Sequence, residues 1–286
     1  MPAPQLPLIS PAWLTQSSQA PDLRIIDATW FAPFLNPPET GFQAYQKGHI
    51  PGAVHFDIDQ ITDPDAALAH TLPPTHVFSA RVRKLGIGDG HRLIIYDQNN
   101  FFAAARVWWM FRVMGVTDIM VLDGGLDAWR DSGALVEDLP PVSTERHFTS
   151  RMRADLVKNS DQIRALLGDN QPQIIDARPA ARFTGQAPEP REGLPSGHIP
   201  GSYNIPGGRL LNNGRMKYPD ELASLFSEAG IDLSAPIITT CGSGVAAAVT
   251  ALALATLGID FVSVYDGSWT DWASNPDNPI ATGPGA

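Results

Sequence analysis

The chain contains one cysteine, and its surroundings favour a nucleophile. Cys241 follows the apolar run 237–240 and opens the segment Cys-Gly-Ser-Gly-Val at 241–245. Gly242 and Gly244 permit backbone conformations in which successive N–H groups turn inward and bind an anion. An Ala-rich run follows, and the N-terminal end of a helix there would favour negative charge. We therefore predict that Cys241 is a nucleophilic thiolate rather than a buried small hydrophobe.

The residues around Cys241 narrow the reactions that this thiolate can perform. Cysteine phosphatases with a similar strand–loop–helix need an Arg six positions later, but position 247 is Ala and no Lys or Arg follows Cys241. A cysteine hydrolase needs a His base, and none follows Cys241, although one could approach from elsewhere. A single cysteine excludes a CxxC redox pair. The His residues show no metal-ligand spacing, so we expect no metal. Sulfur transfer through a cysteine persulfide remains.

The chain repeats itself after roughly 145 residues, a period too long for a solenoid. Gly-His-Ile-Pro-Gly occurs at 48–52 and again at 197–201. The apolar run before Cys241, at 237–240, likewise has a counterpart at 93–96. The equivalent position in the first copy is Asp97, which cannot carry a transferable sulfur. We expect an N-terminal domain without the nucleophile, a linker and a C-terminal catalytic domain, at 1–138, 139–150 and 151–286.

Short apolar runs alternate with helical patterns in both copies. The runs predict strands at 23–27, 93–96, 119–122, 173–176, 237–240 and 261–265. Helices are predicted at 104–114 and 245–257. This alternation favours an α/β fold in which each domain is a parallel sheet with helices on both faces. Because ligands bind at the carboxyl ends of parallel strands, the loops after Tyr96 and Thr240 are the expected sites.

The composition excludes several classes of function. A net charge of -10 argues against nucleic acid and anionic membranes as partners. The longest apolar stretch, 245–259, is shorter than the roughly 20 residues that span a bilayer, and is a better candidate for a buried helix. The basic start of a signal peptide is missing, and one cysteine suits a reducing compartment. We expect a cytoplasmic monomer.

Several motifs resemble those of the two-domain sulfurtransferases of the rhodanese superfamily, along essentially the whole chain. They are the two Gly-His-Ile-Pro-Gly segments, Arg-Val-Trp-Trp-Met-Phe-Arg at 106–112, Asp-Gly-Gly at 123–125, Tyr-Asp-Gly-Ser-Trp at 265–269 and the Cys241 loop. The resemblance implies two tandem rhodanese-like domains and sulfur transfer to a thiol acceptor such as thioredoxin or a small dithiol. It implies no organic cofactor.

The uncharged loop resembles the branch of the superfamily whose donor is the keto acid 3-mercaptopyruvate. Thiosulfate-using members typically carry basic residues directly after the cysteine, which suits a dianionic donor. The expected products are pyruvate and a persulfide. A thiosulfate:cyanide sulfurtransferase, or a persulfide carrier without turnover, are the alternatives. One position departs from the family pattern, because Ala246 stands where Thr is usual.

The resemblance also assigns roles to individual residues. Arg182 and Arg191 match arginines that bind the carboxylate and keto end of the donor, a planar group that suits bidentate arginine. Asp59 and His70 match residues that, with Ser243, could form a hydrogen-bonded relay that protonates the departing enolate. The backbone of the loop, at Gly242, Gly244 and Val245, is expected to cradle the donor and the anionic persulfide. By contrast, His49 and His198 recur in both copies and are expected to be structural.

Overall fold

The structure, a computed structural model, describes residues 7–168 and 172–286, which divide into two units. Unit 1 contains the described residues up to 66, with 72–153 and 213–216. Unit 2 contains the described residues of 67–71, 154–212 and 217–286. The domain boundaries at 138 and 151 stay a prediction, and unit 1 itself continues to residue 153.

The segment predicted as a linker packs on unit 1. The backbone N–H of Asp89 donates to the carbonyl of His147 at 2.8 Å. In return, the Asp89 carboxylate accepts the backbone N–H of Thr149 at 2.9 Å. Phe148 is buried against the rings of Phe78 and Phe111. The second half of this segment is therefore fixed to one unit by hydrogen bonds and aromatic packing.

Unit 1 is built on a five-stranded sheet. Its strands are β1 (Leu8–Ile9), β2 (Leu23–Asp27), β3 (Val54–His55), β4 (Arg92–Tyr96) and β5 (Ile119–Leu122). Its helices are α1 (Pro11–Ser17), α2 (Gly41–Lys47), α3 (Thr75–Lys84), α4 (Ala104–Val113) and α5 (Gly125–Asp131). The strand order is β1-β5-β4-β2-β3, and each neighbouring pair is parallel.

Both faces of the unit 1 sheet are covered. On one face, Ile94 of β4 belongs to a core cluster with Leu14 of α1 and Trp129 of α5. Successive strand residues point to opposite faces, and the adjacent Ile95 is also fully buried. Helix α4, whose Phe111 packs on Phe78 of α3, contacts β4 and β5. The burial of consecutive residues explains why these strands read as continuous apolar runs.

Unit 2 has the same architecture. Its strands are β6 (Val157–Lys158), β7 (Gln173–Asp176), β8 (Tyr203–Asn204), β9 (Leu211–Asn212), β11 (Ile237–Thr240) and β12 (Ser263–Tyr265). The short strand β10 (Arg215–Met216) follows β9 in the chain but belongs to unit 1. Its helices are α6 (Ser160–Arg164), α7 (Ala180–Phe183), α8 (Pro219–Glu228), α9 (Ala247–Thr256) and α10 (Ser268–Ser274). The sheet is parallel, in the order β6-β12-β11-β7-β8.

Helix α9 is the buried helix that the apolar run predicts. All ten of its residues are buried, and it contacts β11 and β12. On the other face, Ile238 of β11 clusters with Ile163 of α6 and Trp272 of α10. Within residues 7–168 and 172–286, no helix combines the length and the apolar character that crossing a membrane requires. The predicted α/β fold with two parallel sheets is confirmed.

The two recurring histidines make the same contacts in the two units. The Nδ1 atom of His49 lies 2.8 Å from the carbonyl oxygen of Tyr45, and the two rings stack. The Nδ1 atom of His198 lies 2.9 Å from the carbonyl oxygen of Phe183, again with stacked rings. Both imidazoles are buried. These contacts agree with the structural role expected for both residues.

Candidate active site

Cys241 lies in the loop that joins β11 to α9. The strand ends at Thr240 and the helix begins at Ala247, so Cys241 is the first residue after the strand, as predicted. The residue is 3 % exposed. Its carbonyl accepts the backbone N–H of Trp269 at 2.9 Å. Gly244 has φ +76°, a conformation that few other residues adopt without strain, and this turn leads the chain into α9.

The first turn of α10 holds the backbone of this loop. The N–H of Cys241 donates to Ser268 Oγ at 3.2 Å, and that hydroxyl donates to the carbonyl of Tyr265 at 2.8 Å. The carbonyl of Gly242 accepts from both the N–H and the hydroxyl of Thr270, at 3.0 and 2.6 Å. Ser268 is fully buried with φ +53°, an uncommon conformation for a residue with a side chain. The sequence motif at 265–269 was the only signal for these contacts.

Arg191 approaches the loop directly. A Cβ atom on Gly242 would lie 3.5 Å from Nη1 of Arg191, so the guanidinium group is next to the loop backbone. Ser243 is half-buried, whereas Gly244 and Val245 are buried. The structure therefore brings Arg191 and the predicted loop residues together within unit 2.

Arg182 lies on α7 and is held by a carboxylate. Its Nη1 atom is 3.6 Å from Oε2 of Glu189, and its side chain is 23 % exposed. The Glu189 side chain is only 2 % exposed. Arg182 is thus partly open to solvent on one side and paired with a buried acid on the other.

A third arginine, Arg178, for which the sequence predicted no role, is buried. Arg178 donates to both carboxylate oxygens of Asp176, to Glu189 Oε1 and to the carbonyl of Gly197. Its Cζ atom lies 4.2 Å from the ring centroid of Trp269. Burial lowers the pKa of Arg178, but the two ion pairs outweigh that effect and raise it. The signal available in the sequence was the Asp-Ala-Arg triplet at the end of a buried strand.

A family model for the rhodanese-like domain matches residues 10–132 and 159–275. The chain belongs to the rhodanese family. Each match covers four of the five strands of one parallel sheet, all but β1 in unit 1 and all but β6 in unit 2. Each unit therefore carries one rhodanese-like domain, as predicted.

Several relatives of this chain are similar along nearly its whole length. The 3-mercaptopyruvate sulfurtransferase of Escherichia coli (strain K12) is 41 % identical over 268 residues, 94 % of this chain and 95 % of the relative. Thiosulfate/3-mercaptopyruvate sulfurtransferase 1, mitochondrial, of Arabidopsis thaliana is 40 % identical over 300 residues, 96 % of this chain and 78 % of the relative. The crystal structure of SseA from Escherichia coli superposes with a TM-score of 0.85 at 39 % identity and covers 93 % of this chain and 99 % of that one. The prediction of a sulfurtransferase enzyme is confirmed.

The first rhodanese-like domain has an acid, Asp97, at the position equivalent to Cys241. The carbonyl of Asp97 accepts the N–H of Leu126, just as the carbonyl of Cys241 accepts that of Trp269, which confirms the equivalence. The Asp97 carboxylate accepts four backbone N–H groups, from Asn99, Phe101, Ala103 and Ala104, at 2.9–3.2 Å. Burial raises its pKa to about 6, although these hydrogen bonds lower it. This loop is an anion cradle that is filled by its own side chain.

The other predicted residues of this rhodanese lie in both units. Asp59, in unit 1, accepts a hydrogen bond from Trp30 Nε1 at 2.7 Å. His70, in unit 2, is buried in a turn with φ +65°. The relay that would join these two residues to Ser243 stays a prediction.

Proposed function

We propose that this rhodanese transfers sulfur from 3-mercaptopyruvate to a thiol acceptor through a persulfide on Cys241, with release of pyruvate. The observation that carries the proposal is the placement of Cys241 at the end of a parallel strand, in a loop without side-chain charge and with the Arg191 guanidinium beside Gly242. The names of the relatives in Escherichia coli and Arabidopsis thaliana support the choice of donor.

The first half-reaction charges the enzyme. The Cys241 thiolate attacks the sulfur of 3-mercaptopyruvate, so that an S–S bond forms and the C–S bond of the donor breaks. The bonding electron pair moves to carbon and gives the enolate of pyruvate. One proton then converts this enolate to pyruvate, and the enzyme keeps the outer sulfur as a persulfide.

The second half-reaction moves the outer sulfur from the enzyme to the acceptor. The thiolate of the acceptor attacks the outer sulfur and forms an acceptor persulfide, and the electron pair of the broken S–S bond returns to Cys241. A dithiol acceptor can then close its own disulfide and release hydrogen sulfide. Thioredoxin or a small dithiol fits this role, and the chemistry needs neither a metal nor an organic cofactor. We infer that the enzyme works as a cytoplasmic monomer.

The Asp97 loop supports a persulfide cradle in the Cys241 loop. Two bonds separate Cβ from a carboxylate oxygen of Asp97, and two bonds separate Cβ from the outer sulfur of a cysteine persulfide. In the first loop, an anion at that distance accepts four N–H groups. The equivalent strand–loop–helix around Cys241 is therefore suited to hold an anionic outer sulfur with backbone N–H groups, including those at Gly242, Gly244 and Val245.

The arginines orient the donor. A guanidinium group next to Gly242 can bind a carboxylate through two parallel hydrogen bonds, and Arg191 is so placed. Arg182 is assigned to the same donor, at its carboxylate and keto end. Ser243 is proposed to protonate the enolate. In this relay His70 supplies the proton to Ser243, and Asp59 orients the imidazole of His70.

The proposal is tested by the fate of one sulfur atom. After treatment with 3-mercaptopyruvate and desalting, mass spectrometry should show a gain of one sulfur on the wild type and none on Cys241→Ser. Pyruvate release in excess over enzyme should accompany it when a thiol is present. Retention of sulfur by the folded Cys241→Ser variant would contradict the mechanism, and release of only one pyruvate per chain would favour a carrier.

Donor preference is a separate prediction. Thiosulfate brings two negative charges, and burial of unpaired charge is costly. We expect 3-mercaptopyruvate to be preferred by at least about tenfold in kcat/KM, roughly 1.4 kcal/mol. Replacing Gly242 and Ser243 by Arg and Lys should move the preference towards thiosulfate. Equal use of both donors by the wild type would show that loop charge does not set the specificity.

A further inference from the structure

One buried carboxylate contacts two arginines of the site. Oε1 of Glu189 accepts from Nη1 of Arg178 at 2.8 Å, and its Oε2 lies 3.6 Å from Nη1 of Arg182. The carboxylate is almost entirely out of contact with solvent. Charges that are buried in this way interact more strongly than charges on the surface, because water screens them less.

Arg178 is poorly available to the donor, because it is buried and each of its three guanidinium nitrogens already donates a hydrogen bond. Asp176 engages its Nε and Nη2 atoms, Gly197 engages Nη2 and Glu189 engages Nη1. The face of its guanidinium group lies over Trp269. Arg178 thus fixes Glu189 in place, and the second oxygen of Glu189 is directed to the more exposed Arg182.

The charges of this group nearly cancel. Three guanidinium groups, those of Arg178, Arg182 and Arg191, stand against the two carboxylates of Asp176 and Glu189. Among these five side chains the formal sum is one positive charge, before the negative charge of the Cys241 thiolate is counted. Because positive and negative charges are so nearly balanced, the carboxylate of Glu189 limits the attraction that the arginines offer to a dianion.

We infer that Glu189 is a positioning and specificity-determining residue, which holds Arg182 in place and sets the net charge of the donor site to suit a monoanion. The inference deepens the proposed function and rests on it for the identity of the donor. Glu189 does not touch the reacting sulfur, so it acts through the arginines. Its effect should therefore depend on the charge of the donor, which a purely structural role would not produce.

The decisive variant is Glu189→Gln. Glutamine keeps the shape of the side chain and an oxygen acceptor for Arg178, but it adds one positive charge to the site and releases Arg182 from its ion pair. Coulomb attraction is proportional to the charge of the ligand, so thiosulfate gains more from this change than 3-mercaptopyruvate does. We expect the ratio of kcat/KM for thiosulfate to that for 3-mercaptopyruvate to rise at least about fivefold.

Two further variants control for charge and for shape. Glu192→Gln removes the same charge from an exposed residue of the same loop, and should leave the donor ratio within about twofold. Glu189→Asp keeps the charge with a shorter side chain, and should raise the KM for 3-mercaptopyruvate while keeping the wild-type ratio. An unchanged ratio in Glu189→Gln, or an equal loss with both donors, would overturn the inference. A ratio that rises as much in Glu192→Gln would also overturn it.

A measurement on the wild type covers the case in which Glu189→Gln does not fold. Pyruvate and sulfate are compared as protectants of Cys241 against alkylation by iodoacetamide. A site in which Glu189 offsets the charge of the arginines should bind sulfate no more tightly than pyruvate, and protection by sulfate at a tenfold lower concentration would overturn the inference. This assay needs no turnover, so it remains decisive even if the wild type releases no pyruvate from 3-mercaptopyruvate, a result that would refute the proposed function alone.

Discussion

The loops after β4 and β11 start from the same architecture and end with opposite chemistry. In the first loop, the Asp97 carboxylate is permanently attached to the chain and accepts four backbone N–H groups. In the second, Cys241 provides a single sulfur at the equivalent position. The strands before the two loops have five and four residues, and the helices after them have ten each. In the first loop the anion is thus part of the chain and cannot be exchanged, whereas the persulfide proposed for the second loop would come and go with each turnover.

The two units also differ at the second residue after β2 and after β7. Thr29 follows β2 and Arg178 follows β7, and each backbone N–H caps the last aspartate of its strand at 2.8–2.9 Å. Only the second side chain reaches Glu189 and the face of Trp269. Unit 2 therefore adds a buried network of ion pairs to a backbone pattern that both units share.

The largest effect is expected from copying the first loop into the second. Cys241→Asp should abolish sulfur uptake and pyruvate release, because a carboxylate cannot carry a transferable sulfur. The variant should still fold, because the Asp97 loop shows that this architecture accepts a carboxylate. Mass spectrometry and pyruvate release measure the first expectation, and thermal unfolding measures the second. Loss of folding would show that the two cradles are not equivalent.

An intermediate effect is expected from the arginine beside the second loop. Arg191→Ala should lower kcat/KM for the donor by about ten- to a hundredfold, since loss of a charged hydrogen bond costs about 1.5–3 kcal/mol. Transfer from a preformed persulfide to a thiol should change much less, and single-turnover kinetics separate the two steps. Arg151→Ala, at an exposed arginine of unit 1, is the control. Equal damage to both half-reactions would argue against a role in donor binding.

The smallest effect on catalysis is expected from the first loop itself. Asp97→Asn places an NH2 group against N–H donors and should destabilise unit 1 by at least about 3 kcal/mol, since buried groups lose their acceptors. Sulfur uptake by the remaining folded protein should persist at temperatures well below unfolding. Chemical denaturation measures the loss, with Asp131→Asn, at an exposed carboxylate, as the control. A stability equal to that of the wild type would show that the filled cradle contributes nothing to the fold.

The pH dependence of stability gives a finer test of the same loop. Burial raises the pKa of Asp97 to about 6, so between about pH 4 and pH 6 the folded protein binds a proton that the unfolded chain has lost. The contribution of Asp97 is therefore fully present below pH 4 and declines, on the order of 1–3 kcal/mol, as the pH rises through 6. Asp97→Asn should lack this decline in denaturation experiments at a series of pH values. A parallel profile for both proteins would assign the decline to other groups.

Much of the sheet could be predicted because buried parallel strands have a continuous apolar pattern. The strands Leu23–Asp27 and Ile119–Leu122 have the predicted bounds. The edge strands, such as β3 and β8, have two residues each, too few to show a period. Helix α9 begins two residues later than predicted, because Val245 and Ala246 form the turn that follows Gly244.

The parts of the site whose residues are neighbours in the sequence could be predicted. Cys241 stands out because a strand, a glycine loop and a helix follow one another in the sequence. The roles of Arg178 and Glu189 could not be predicted, because their ion pair joins a residue just after β7 to one after α7, and neither lies in a helix or a strand. Likewise, the φ of +53° at Ser268 depends on the hydrogen bond to Cys241 across the unit. Tertiary contacts of this kind have no signature in a single sequence.

The single cysteine gives this protein a simple stoichiometry. Since Cys241 is the only thiol in the sequence, a thiol reagent adds one label per chain, to the free thiol or to the persulfide, and the mass of the labelled chain shows which of the two it carried. A preparation can therefore be standardised by titration rather than by activity. Any disulfide between two copies of the chain must also join two nucleophiles, so covalent dimers and inhibited enzyme would be the same population.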